Sequence, residues 1–125
     1  MSRTEDLLEG GLATGGIPYR TQDKSLPGTP DFVLTDTRIV VFVHGCYWHR
    51  HEDCGAAKTP QTRTLEWAET FREIVNRDQE TYSQLEDDGW WVVVAWECEI
   101  NQNLDAVIQT IKEHRDSRIR QLRGR

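Results

Sequence analysis

The chain has 125 residues and a formal charge of −6, with 37% apolar and 29% charged residues, three cysteines and five tryptophans. That length suffices for one domain with a buried core. It excludes a membrane helix, because no apolar run approaches the roughly 20 residues a bilayer needs, and its acidity argues against indiscriminate binding to nucleic acid.

The opening residues, Met1 to Asp6, are polar and then acidic and form no signal peptide, so a cytoplasmic location is expected. Residues 5–13, with Leu7, Leu8 and Leu12, are expected to form a short helix ended by Gly15-Gly16. Ile17–Thr21 alternates weakly and reads as a strand. Pro27-Gly28 is a turn, and Pro30 keeps Thr29 extended ahead of a short strand over Asp31–Leu34. Arg38–Val43 is a buried, valine-rich strand. Residues 44–63 have no clean period and carry metal-ligand side chains, the signature of a long functional loop. From Thr64 the helical period is clear: Phe71, Val75, Tyr82 and Leu85 form one stripe, with Ala68 and Ile74 beside it, and Gly89 ends the helix. Trp90–Trp96 is a strongly apolar strand expected at the centre of a sheet. A last helix begins near Asn103, with Leu104, Val107, Ile108, Ile111 and Ile119 inward. The order of elements fits an α/β fold, a mixed sheet covered by helices. Residues 112–125 hold six Lys and Arg against Glu113 and Asp116, a net +4 that leaves the rest at −10. Such a tail either touches phosphates or is a solvated helix end whose cations suit the dipole.

Three of the four histidines and two of the three cysteines fall between His44 and Cys54. Cys46, His51 and Cys54 have the spacing Cys-x4-His-x2-Cys, and Cys98 follows the last strand. Three thiolates and an imidazole complete a tetrahedral, closed zinc site that would order the loop. The alternative is small buried thiols and surface histidines. Asp31, at a strand start after a proline turn, is either a turn cap or a hard oxygen ligand for a divalent ion. Asp78 interrupts the apolar helical stripe. A buried carboxylate there is costly unless paired, and His49 or His44 would make a base oriented by it. Pairing with Arg77 or solvent is the plainer account. Tyr47, Trp48 and Trp67 are either core aromatics or rings that stack on a base or wedge into a duplex.

The stretches Ser25 to Phe32, Val41 to His49, Thr62-Arg63-Thr64, Arg77-Asp78 and Trp96-Glu97-Cys98 resemble, in order and over residues 17–100, the very-short-patch-repair endonucleases. That resemblance implies a restriction-endonuclease-like fold, with a zinc-bound loop, that nicks DNA beside a T:G mismatch. It implies magnesium held by Asp31 and by the backbone carbonyl of Val43, and a water-activating His49 partnered by Asp78. His44 would be a second active-site histidine, and Glu5 an acidic residue of the first helix. Cys46, His51, Cys54 and Cys98 would hold zinc, and Tyr47, Trp48 and Trp67 would insert into the DNA. Members of the family carry a further N-terminal segment that wraps DNA. The sequence opens almost at the first helix, so a single endonuclease domain over residues 1–125 is expected without it, acting as a monomer on double-stranded DNA. Two rivals stand beside this reading: a restriction-type or other structure-specific nuclease of the same fold, and a zinc-stabilised DNA-binding module without catalysis.

Overall fold

The computed structural model describes residues 2–124. Ser2 starts the first helix, α1 (Arg3–Thr14), by accepting the Glu5 N–H on its hydroxyl at 3.2 Å. This side-chain cap satisfies one of the orphan N–H groups of the first turn. Three strands follow: β1 (Arg20–Thr21), β2 (Phe32–Leu34) and β3 (Ile39–His44). A long irregular stretch leads to α2 (Thr64–Asp87), then β4 (Trp91–Trp96), α3 (Glu97–Gln102) and α4 (Leu104–Arg123).

The four strands lie in the order β1-β2-β3-β4. β1 with β2 and β2 with β3 are antiparallel, while β3 and β4 run parallel, His44 opposite Trp96 at their shared end. Helices cover both faces. Phe32, Leu34, Ile39, Val41, Val93 and Ala95 pack with Leu8 and Leu12 of α1 and Ile108 and Ile111 of α4. Val33, Val40 and Phe42 point the other way and pack with Leu85 of α2. Burial on both sides is why β2 and β3 read as unbroken apolar runs. Gly28 lets the β1–β2 connection lie against α2. Its φ is +74°, and a Cβ there would meet Thr81 at 2.5 Å.

Five sequence expectations are corrected. Thr29, expected to be extended ahead of Pro30, instead takes a left-handed φ of +48°. The strand expected over Ile17–Thr21 shrinks to Arg20–Thr21, because Ile17 turns into the core and Pro18 has no N–H to donate to a ladder. β4 is at the edge of the sheet, not its centre. It is apolar because α2 and α4 each cover one of its faces. The chain also turns a short helix, α3, directly after β4, before Asn103 caps α4 by accepting the Ala106 N–H at 3.1 Å. Ala68, expected beside the stripe, is exposed.

The basic C-terminal segment is partly internal. Arg115 pairs with Asp36 at 2.5 Å. Arg118 donates to the carbonyls of Thr37 and Gly89 at 3.0 and 2.5 Å, tying α4 to the turns at one end of the sheet. These two cations are therefore not free for phosphates. Arg125, counted in the same charge run, lies outside the described residues.

Candidate active site and metal centre

The site forms where β2 and β3 meet α1 and α2. Asp31 stands just before β2. Its Oδ2 accepts the backbone N–H of Val43 at 2.6 Å, and its Oδ1 accepts from Gln22 Nε2 at 3.1 Å. The same Gln22 amide donates to Glu5 Oε2 at 3.2 Å, so one side chain links the carboxylates of α1 and β2. Gln22 holds this post with φ at +49°, a left-handed backbone uncommon outside glycine and asparagine. Its own N–H is fixed to the Asp31 carbonyl at 3.0 Å. Burial raises the Asp31 pKa; the Val43 N–H opposes this and the nearby Glu5 charge adds to it. Two carboxylates bridged by one amide, one of them half-buried, make a site that a hard divalent cation would relieve.

Across the cleft, His49 Nδ1 lies 2.7 Å from Asp78 Oδ2. Asp78 is 18% exposed at its side chain, the burial that the interrupted stripe on α2 implied. A ring N–H donating to the carboxylate leaves Nε2 of His49 with its lone pair. His44, at the end of β3, stacks on His49 with centroids 3.8 Å apart and planes within 6°. Its Nε2 is 2.5 Å from the Tyr82 hydroxyl and 4.0 Å from Asp78 Oδ2. Burial, reinforced by His49, lowers the His44 pKa to about 4 against the pull of Asp78, so the ring is neutral near pH 7. The three donors His44, His49 and Asp78 lie within 4.8 Å of one another. A metal shared by both rings is nevertheless disfavoured. Lone pairs lie in the ring planes, and an ion between two parallel rings would sit far out of both. Gly28, Asp31, His44, His49, Arg77 and Tyr82 line one open cleft of about 290 Å³.

A second cluster lies behind this wall. One atom each from Cys46, His51, Cys54 and Cys98 falls within 4.8 Å of the others. Cys98 Sγ is 3.5 Å from His51 Nδ1, and the Cys98 N–H donates to Cys46 Sγ at 3.4 Å. The 3.5 Å between Sγ and Nδ1 is the separation that tetrahedral zinc–sulfur and zinc–nitrogen bonds produce between ligand atoms. The thiols disturb each other. Burial and the neighbouring cysteines push Cys98 up to about 12, burial raises Cys46, and the backbone N–H of Ala56 lowers Cys54. A bound cation would remove that conflict. Trp96 separates the clusters. It stacks on His51 at 4.2 Å and meets His44 edge-on at 5.7 Å.

The expected DNA-inserting rings gather at the start of α2. Trp48 touches Tyr47 and Trp67, with centroids at 5.1 and 5.9 Å, and Trp67 stacks on Phe71 at 5.7 Å. Trp48 is 49% exposed and Phe71 6%. The patch thus has a rooted base and an open tip.

Three residues of the site escaped the sequence reading. Gln22 belongs to no motif or apolar pattern in the sequence. Tyr82 read as stripe. Arg50 belongs to no motif in the sequence, yet it donates to the carbonyls of Tyr47, Ala57 and Lys58 at 3.0, 2.8 and 3.2 Å and lies 4.1 Å over the Phe71 ring. It bolts the cysteine loop to α2. The available signal was that this loop has no core of its own, so some long donor had to satisfy its carbonyls.

A mixed sheet between helices with a carboxylate–histidine cleft at one end is the fold of an endonuclease catalytic domain. The catalytic domain of the homing endonuclease I-Bth0305I superposes with a TM-score of 0.66, covering 95% of this chain and 99% of that one at 22% identity. The family profile described as DNA mismatch endonuclease Vsr matches residues 2–55. The DNA mismatch endonuclease Vsr of Escherichia coli is 49% identical over 88 residues, 70% of this chain and 56% of that protein. Type II nicking enzyme V.XorIIP of Xanthomonas oryzae pv. oryzae is 38% identical over 100 residues, 80% of this chain and 73% of that protein. Type II nicking enzyme V.NmeAIP of Neisseria meningitidis is 34% identical over 118 residues, 90% of this chain and 84% of that protein. The chain belongs to this family, the very-short-patch-repair endonucleases. It spans little more than half the length of the Escherichia coli protein. Among the described residues no helix is long and apolar enough to cross a membrane.

Proposed function

We propose that the chain, as one endonuclease domain acting as a monomer in the cytoplasm, nicks one strand of double-stranded DNA beside a T:G mismatch by magnesium-dependent hydrolysis, in mismatch repair. The observation that carries this reading is that Asp31 and the His49–Asp78 pair face one cleft while the exposed Trp48 immediately precedes His49. A site for cutting is thereby coupled to a ring able to probe the duplex.

Asp31 and the carbonyl of Val43 would hold magnesium, with Glu5 nearby through Gln22. When bound, that ion supplies a Lewis acid that stabilises charge developing on the phosphate. Asp78 holds Nδ1 of His49, and the free Nε2 takes the proton of the attacking water. Arg77, the cation lining the cleft, faces the phosphate charge. Cys46, His51, Cys54 and Cys98 would hold a structural zinc, a soft and closed donor set with no place for substrate. Tyr47 and Trp67 support Trp48 as it enters the base stack. Unstacking costs least at a mismatch, so insertion there favours T:G sites.

The test is Asp31→Ala on a T:G duplex in Mg²⁺. The folded variant should bind the duplex and make no nick above background; cleavage at the normal rate would overturn the assignment.

A further inference from the structure

The helix α2 makes two contacts one turn apart. Asp78 meets His49, and Tyr82, four residues on, meets His44. The two imidazoles are stacked at 3.8 Å, so two ring-and-partner pairs lie side by side on the cleft wall. Resting on the nuclease reading above, we propose that Tyr82 is a positioning residue whose hydroxyl donates to Nε2 of His44, fixes that ring as its Nδ1–H tautomer, and so reserves Asp78 for His49.

The contact geometry favours this arrangement. Neutral imidazole has one donor and one acceptor nitrogen, and a phenol is the better donor of the pair. Burial and the Asp78 charge raise the Tyr82 pKa, so the hydroxyl keeps its proton. It sits 2.5 Å from Nε2, while its ring is fixed against Phe42 at 5.6 Å. The competitor is Asp78 Oδ2, which is 2.7 Å from His49 and only 4.0 Å from His44 Nε2. Were Nε2 of His44 protonated, that N–H would be drawn to the same carboxylate oxygen. His49 would then share the anion that orients it. Tyr82 prevents this by occupying Nε2 as a donor. The two histidines thereby divide the work: His49 has a free Nε2 for a proton, whereas the acceptor nitrogen of His44 is already filled and cannot serve as the base.

Tyr82→Phe removes one oxygen and keeps the ring that packs on Phe42. Long-range ¹H–¹⁵N correlation spectra of the free protein near pH 7 report the tautomer of each imidazole. The wild type should show His44 protonated at Nδ1 with a hydrogen-bonded Nε2, and Tyr82→Phe should shift His44 toward the Nε2–H form. Single-turnover nicking of a T:G duplex should fall by about tenfold, the scale of one lost hydrogen bond, with duplex affinity nearly unchanged and the thermal midpoint lowered by no more than several degrees. A wild-type His44 carrying its proton on Nε2, an unaltered tautomer in Tyr82→Phe, or a nicking rate within twofold of wild type would overturn the proposal. If the wild type nicks no duplex, the nuclease reading fails, and the spectra still decide whether Tyr82 holds His44.

Discussion

Asp78 should act on cleavage only through His49, and a double-mutant cycle measures this. The 2.7 Å contact is half-buried, with His49 27% and Asp78 18% exposed at their side chains. A hydrogen bond to a charged group in such a setting contributes about 1.5–3 kcal/mol. At 1.36 kcal/mol per decade, Asp78→Ala should slow single-turnover nicking by about 10- to 100-fold. His49→Ala removes the base itself, a loss of about 10²–10⁴-fold. In the double variant Asp78 has nothing left to orient, so the loss should equal that of His49→Ala alone. His44 does not spoil the cycle, since its 4.0 Å separation from Asp78 is too long for a hydrogen bond. The assay is the rate of nicking of an end-labelled T:G duplex with enzyme in excess at saturating Mg²⁺. A double variant slowed by the product of the two single losses would refute the reasoning and leave Asp78 a structural partner.

The cysteine cluster should carry one zinc per chain by element analysis. Cys98→Ser should lose most of it and lower the thermal midpoint by about 10 °C or more, given several degrees per kcal/mol in a domain of this size; a metal-free protein of full stability would deny the site a structural role. Trp48→Ala should erase the preference for mismatched over matched duplex with little change in stability, because that ring is 49% exposed, whereas Trp67→Ala should also destabilise the fold by about 1–3 kcal/mol through its lost stacking on Phe71; equal losses on both duplexes for Trp48→Ala would make it a packing residue. His44 has its folded pKa depressed to about 4, below its usual 6.5. Between those values the unfolded chain binds more protons, so stability should be full above pH 6.5 and fall toward pH 4. Denaturation midpoints across that window should fall less in His44→Gln, and parallel curves would show that His44 does not cause the loss.

Much of the site was legible because its chemistry is carried by residue types that stand out from their surroundings. Asp78 in an apolar stripe demanded a partner, and the structure supplies His49. The spacing of Cys46, His51 and Cys54 called for a fourth donor, and Cys98, from the start of α3, falls beside them. Glu5 entered only through family resemblance; its link to Asp31 depends on Gln22, whose role comes from a backbone angle no pattern encodes. The edge position of β4 was hidden because hydrophobicity reports how many faces are covered, not how many neighbouring strands there are. Arg115 and Arg118 looked available for phosphate because their acceptors, Asp36 and the carbonyls of Thr37 and Gly89, are distant in sequence. Tyr82 packs as its stripe position requires, and only three-dimensional proximity reveals the use of its hydroxyl.

On the proposed function, the cleft cuts one strand beside a mismatch. Duplexes identical except for one T:G or T:A pair, each labelled on both strands, should be incubated with the protein in Mg²⁺ and resolved under denaturing conditions. A single break in one strand of the T:G duplex, absent from the T:A duplex and from reactions without divalent metal, is the predicted result. Cleavage of both strands, equal cutting of the two duplexes, or binding with no cleavage in any divalent metal would contradict it.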